Sequence, residues 1–155
     1  MTIQKDFIAA MRGFASTVNV VSSRNSSNRQ AMTASAVTSL SMEPPSMLVC
    51  VNKDAAIHEI INLNSYFCIN VLASHQQEIA EICSGKVEGE VRFETGHWKD
   101  LSKTPYLEDA QSNIFCKCYE KINQASHTIF LGEVINVFNK EDQNPLIYIN
   151  GGFKN

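Results

Sequence analysis

Between Met32 and Pro45 the chain reads M-T-A-S-A-V-T-S-L-S-M-E-P-P, fourteen residues of which thirteen are uncharged. Most are small or β-branched, which favours one extended strand ending at the Pro44-Pro45 break. Alternation puts Thr33, Ser35, Val37, Ser39 and Ser41 on one face and Ala34, Ala36, Thr38 and Leu40 on the other. Neither face is the Leu, Ile and Val ridge of a plain core strand. Short side chains let a flat object lie against the backbone, and the strand edge offers N–H, C=O and hydroxyl groups to it. A planar heteroaromatic cofactor such as an isoalloxazine needs such a wall. The same residues also read as a half-buried strand whose hydroxyls face water.

Four further places carry chemistry. Asn52 ends an apolar run, as a turn residue or as a ligand contact. Lys53-Asp54-Ala55-Ala56 follows, a cation and a carboxylate ahead of a helical start whose N–H groups can cradle an anion. Arg92-Phe93 lies in a glycine-broken stretch, where the arginine is either exposed or an anion contact. His127 opens a strand, either as a surface residue or as a positioning donor. His58, His75 and His97 have no acid or cysteine at ligand spacing and are expected at the surface. Cys116-x-Cys118 is too close for the usual zinc pair and has no second pair, so no metal is expected. No Ser-His-Asp, Walker or G-x-G-x-x-G pattern occurs, so any nicotinamide binds without a Rossmann domain.

These residues must be held by a chain of 155 residues, which predicts one domain over 1–155. Hydrophobic content of 44% and charge of 19% are ordinary for a globular protein. A net charge of -3 without a Lys/Arg cluster argues against nucleic acid as a partner. No apolar run reaches the roughly 18 residues of a membrane span and no basic-then-apolar leader is present, so a cytoplasmic protein is expected. Five cysteines, an odd count, fit reduced thiols.

Asp6 ahead of Phe7, Ile8, Met11, Phe14 and Ala15 predicts a short docking helix with an acidic cap. Val18 to Ser22 reads as a strand, turned by Asn25-Ser26-Ser27-Asn28 into the Met32 stretch. Met47 to Val51 reads as a strand buried on both faces, Ile57 to Ile61 as a helical turn, and Tyr66 to Leu72 as a strand. Ser74 is the expected cap of a helix through Cys83, and Gly85, Gly89 and Gly96 predict a long irregular segment of functional use. Ile114 to Ile122, His127 to Phe138 and Leu146 to Ile149 complete six or seven strands. The pattern predicts a mainly β, antiparallel, Greek-key-like barrel with helical attachments.

Several separated blocks in order resemble the short-chain flavin reductases, the reductase components of two-component flavin monooxygenases. They are Phe7-x3-Met11-x2-Phe14-Ala15, Met32 to Ser39, Pro44-Pro45, Val49-Cys50-Val51-Asn52, Asn70-Val71-Leu72, Arg92-Phe93, His127-x2-Phe130-x-Gly132-Glu133-Val134 and Pro145-Leu146-x-Tyr148. The resemblance implies an FMN-binding split β-barrel, a homodimer, and reduction of FMN, or FAD, by NADH or NADPH for a separate oxygenase component. It places flavin against Thr33, Ala34, Ser35, Val37, Thr38, Ser39 and Leu40, with Cys50, Asn52, Lys53 and Ala55 alongside. Ser84, Lys86, Arg92, Phe93 and Tyr148 are its further implied contacts, and His127 the implied nicotinamide residue. Two departures stand out. Hydroxyl residues common after the asparagine are replaced by Asp54-Ala55-Ala56, and the acid or threonine often found before the histidine is Ser126. A flavoprotein without efficient NAD(P)H oxidation is the alternative, and a haem or pyridoxal phosphate barrel a weaker third.

Overall fold

The computed structural model describes residues 2–141 and 143–154. A helix, α1 (Ile3–Met11), opens it, and twelve strands follow, seven of them in one antiparallel sheet. Those seven are β2 (Asn19–Arg24), β3 (Arg29–Ala34), β4 (Val37–Met42), β5 (Pro45–Asn52), β6 (Tyr66–Val71), β9 (Ser112–Gln124) and β10 (His127–Asn139). Their order across the sheet is β3-β2-β6-β9-β10-β5-β4. The expectation of a mainly antiparallel β fold holds.

The Met32 to Pro45 stretch is two strands, not one. β3 pairs with β2 and β4 with β5, so Ser35-Ala36 joins opposite edges of the sheet. Three Cα–Cα steps lead from Ala34 to Val37 and span about 11 Å at most, so the edges must meet there. The sheet therefore curls on itself and is split beyond the bend. At the seam the Cys50 N–H donates to Ala36 O at 3.0 Å. The bend also ends the simple alternation: Ala34 is buried in the barrel interior, while Ser35, Thr38, Ser39 and Leu40 are exposed.

The interior is filled from around the curled sheet by Val21, Ala34, Val49, Val51, Phe67, Ile69, Cys116, Cys118 and Phe130, with Ile57 and Ile61 plugging one end. Because neighbouring strand residues face opposite sides, Val20 leaves Val21 and joins a second core. There β2, β3 and β6 are covered by the short helix α2 (Gln77–Glu81) and by the hairpin of β7 (Trp98–Leu101) and β8 (Thr104–Leu107). That hairpin replaces part of the expected irregular segment. Its turn residues Ser102 and Lys103 have φ of 47° and 71° without being glycine, so no turn signal announced it. The helix starts after Gln76, not Ser74, whose place as cap it takes.

Asn25 makes the β2–β3 turn as expected, its Oδ1 accepting from the backbone N–H of Ser27 and Asn28, both at 2.9 Å. The first helix begins four residues earlier than Phe7. Thr2 is its N-cap, Asp6 lies inside it, and none of its residues is buried. Its apolar face forms a groove with Tyr148 of β11 (Ile147–Ile149), which pairs with β1 (Ser16–Thr17) and β12 (Gly152–Lys154). All five cysteines are free, and no helix among the described residues is long and apolar enough to cross a membrane.

Gly132 sits where the β9–β10 register shifts, and a Cβ there would lie 2.7 Å from both Cys116 Cβ and Phe67 Cζ. One of those atoms is fixed to the backbone and the other is in a packed ring, so neither yields easily. Gly132→Ala is expected to cost about 2 kcal/mol by overpacking. A urea unfolding midpoint equal to the parent's would show that the bulge has room.

Candidate functional site

A cleft of about 780 Å³ opens between the end of β5 and the turns that follow α2, within the usual range for cofactor sites. Met32 and Thr33 of β3 lie along it. Asn52, Asp54, Ala55, Ala56 and Ile57 form one wall, and Cys83, Ser84, Gly85, Glu88, Gly89 and Arg92 the other. The first wall is shaped by Asn52, whose Oδ1 accepts the Asp54 N–H at 2.8 Å while its backbone O accepts from Ala55 at 3.0 Å. Asn52 is thus a turn-forming residue at a strand end, and its amide nitrogen is not used in doing so. The 3-10 turn Ala56–Glu59 follows, and its first residues Ala56 and Ile57 line the cleft.

The second wall hangs on β3. Thr33 Oγ1 donates to Ala80 O at 2.6 Å, tying the strand to α2. Beyond α2 a π-type turn, Ile82–Lys86, breaks at Gly85, whose φ of 108° is natural only for glycine and brings bare backbone to the cleft. Arg92 is half-buried, with Nε donating to Val87 O at 2.8 Å and Nη1 to Ala31 O at 2.6 Å. Two of its five N–H groups are thereby used and the others remain for an anion. Arg29 stacks 4.0 Å above the Phe93 ring and grips Glu90, holding the turn that carries Arg92. The guanidinium lowers the Glu90 carboxyl below its ordinary pKa, chiefly by hydrogen bonding. Cys83 is neutral: burial pushes its thiol up to about 11, against the lesser pull of Arg92.

His127 does not line the cleft but lies directly opposite Asn52, which does, in the β10–β5 register. It is exposed, and its Nδ1 lies 2.9 Å from Ser126 Oγ. The neighbouring serine therefore supplies an orienting hydrogen bond to the ring. In the tautomer in which the Ser126 hydroxyl donates to Nδ1, Nε2 carries the ring proton and is the donor left for a ligand.

The model of the flavin reductase like domain matches residues 11–155, a span that contains every residue lining this cleft. The chain belongs to that family. It is 35% identical to the reductase component of an FADH(2)-dependent resorcinol hydroxylase from a Rhizobium species, covering 97% of this chain and 86% of that one. It is 32% identical to the FMN reductase (NADH) RutF of Acinetobacter baylyi, covering 97% and 80%. Among solved structures, the NADH:FAD oxidoreductase SgcE6 of Streptomyces globisporus, in complex with NAD and FAD fragments, superposes with a TM-score of 0.88 at 28% identity over 99% of this chain and 92% of that one. BorF, the flavin reductase component of a bacterial two-component tryptophan halogenase, superposes with a TM-score of 0.86 at 28% identity, covering 97% and 96%.

Within this flavin reductase fold, the expected contacts divide into groups. Thr33, Asn52, Ala55, Ser84 and Arg92 line the cleft together. Ser35, Cys50 and His127 are outside its lining: Ser35 is in the bend, Cys50 bonds to the bend, and His127 pairs with Asn52; Lys53 and Lys86 are exposed next in sequence to lining residues. Others lie elsewhere. The Ala34 side chain is in the barrel core, so only its backbone can face a ligand, and Val37 packs against the same core. Phe93 is buried under Arg29 and edge-on to Trp98, not in the cleft. Leu40 opens on a different groove, beside Tyr119 and Glu133, while Thr38 and Ser39 run out along exposed β4. Tyr148 stacks edge-on to Phe153 in the α1 groove. Sequence reasoning missed Gln30, Cys83 and Glu88 as lining residues. Only the glycines at 85 and 89 signalled that wall, as breaks in regularity.

Proposed function

We propose that this flavin reductase uses NADH to reduce FMN and releases the reduced flavin to a separate flavin-dependent oxygenase. The observation that carries the reading is the pairing of His127 with Asn52, a residue that lines a cleft of cofactor size. The isoalloxazine would rest on the Ser35-Ala36 bend beside Cys50 and Asn52, where small side chains leave backbone polar groups accessible. The ribityl phosphate would run into the cleft towards Ser84, Gly85 and Arg92. The fit is good on that side, where glycine backbone and spare guanidinium N–H groups converge, and opposed by Asp54 and Glu88. Bound flavin supplies the electron-accepting chemistry; the chain supplies orientation, with His127 Nε2–H holding a carboxamide oxygen so that the nicotinamide stacks at reacting distance.

Both FMN and FAD are represented among the relatives, and the cleft is open at its rim, so FAD is a second acceptor. The protein is one cytoplasmic domain over 1–155. Exposed Leu40, Met42, Tyr119, Ile135 and Val137 on β4, β9 and β10 support a homodimer, and sedimentation velocity would report a monomer if they do not meet a second copy. Anaerobic NADH should bleach FMN added to the protein, and retention of the flavin bands would refute the activity. Asp54→Asn is expected to tighten FMN by roughly two- to fivefold and riboflavin hardly at all, because a negative charge near the phosphate is removed. Equal responses of the two ligands in calorimetric titration would move the phosphate away from Asp54.

A further inference from the structure

His58 is not the surface residue its spacing suggested. It is half-buried, with its ring edge-on to Phe130 at 5.7 Å between centroids and its Nε2 2.7 Å from Thr128 Oγ1. Thr128 is fully buried, and its hydroxyl donates to Asn123 Oδ1 at 2.9 Å. A hydroxyl has one hydrogen, so with that bond made His58 must donate from Nε2. The chain His58 to Thr128 to Asn123 therefore runs from the cleft wall across β10 to β9.

Its location gives it a role. Residues 122–127 at the tip of the β9–β10 hairpin are all exposed, and Ala125 turns the tip with a φ of 50°. Thr128 is the first buried residue below that tip, one position from His127. On the other side of His127, the Ser126 backbone O accepts from Lys53 N–H at 2.9 Å. His127 is thus bracketed by two bonds, and both come from the segment 53–58 whose residues Asp54 to Ile57 wall the cleft.

We propose that His58 is a positioning residue for the reductase reaction: its bond to Thr128 locks the His127 hairpin to the wall beside the flavin tail. The inference rests on the reading that His127 meets the nicotinamide. His127 is paired to Asn52 and Gln124, but its exposed side chain stands at the end of those pairings, and a small misplacement of a positioning donor there lowers the rate without removing any contact to flavin. The effect passes through Thr128, so His58 itself need touch neither substrate.

The test compares His58→Ala, His58→Gln, Thr128→Val and His127→Ala in the whole chain. Amide hydrogen exchange of the flavin-free protein should rise about tenfold or more over residues 124–128 in His58→Ala and Thr128→Val, and stay at the parent level in the strands of the barrel core. In stopped flow, both should lower kcat/KM for NADH roughly three- to tenfold with the FMN Kd within about twofold. His58→Gln, whose amide can donate to Thr128, should recover to within about twofold of the parent. Exchange that rises throughout the barrel, or a glutamine variant no better than alanine, would make His58 a structural prop and overturn the proposal. Parent rates in His58→Ala alongside a slow His127→Ala would overturn it alone, whereas a His127→Ala at parent rate would remove the nicotinamide reading and this inference with it.

Discussion

Asn70→Leu is expected to destabilise the protein by about 3 to 5 kcal/mol, the largest single loss available outside the barrel core. Asn70 is fully buried and uses its whole amide. Its Nδ2 donates to Val20 O at 2.8 Å and to Ser22 Oγ at 2.9 Å, and its Oδ1 accepts from Leu107 N–H and Asn113 Nδ2, both at 2.8 Å. Asn113 and Ser22 keep other partners, the carbonyls of Leu107 at 2.9 Å and Pro105 at 2.5 Å. The Leu107 N–H depends on Asn70 for its side-chain acceptor, and leucine of similar size leaves that donor buried against hydrocarbon. Asn70 thereby holds β8 to β6, while Ser22 holds it to β2, so the β8 amides should exchange faster in the variant. A loss below about 1 kcal/mol in urea unfolding would mean that water replaces the amide at little cost. The candidate cleft is lined by other residues, so residual folded protein is expected to bind FMN still.

His127→Ala should act in the opposite way, leaving stability nearly untouched and slowing flavin reduction by NADH roughly 10- to 100-fold, the size expected when one positioning hydrogen bond is lost. The residue is exposed and its ring makes one recorded hydrogen bond, to Ser126, which explains the small structural effect. The FMN dissociation constant should remain within about threefold, because Asn52, Gly85 and Arg92 are unaltered. The loss should fall mainly on kcat/KM for NADH, with dithionite reduction as proof that the flavin is still competent. A variant that reduces flavin at the parent rate would return His127 to a surface role. One that fails to bind FMN would place it against the flavin instead.

Much of this protein is written in local pattern. The Asn25 turn, the apolar runs of β5 and β6 and the long strands β9 and β10 follow from residue preference and alternation, which act within a few residues. The blocks from Met32 to Ser39 and from Val49 to Asn52 were enough to indicate flavin, and Thr33, Asn52, Ala55, Ser84 and Arg92 do share one cleft. Closure of the barrel was not legible. Ser35 and Ala36 are as compatible with a straight strand as their neighbours, and they bend because edges of the sheet distant in space must be joined there. That bend sends Ala34 inward and Leu40 to another groove, separating two residues that alternation placed on one face. Nor does any spacing relate His58 to Thr128, seventy positions apart, or show that Ser126 reaches the His127 ring. Those partnerships arise because β10 pairs with β5 in a register that sets His127 against Asn52, and register is chosen by the whole buried face and not by the residues at its end.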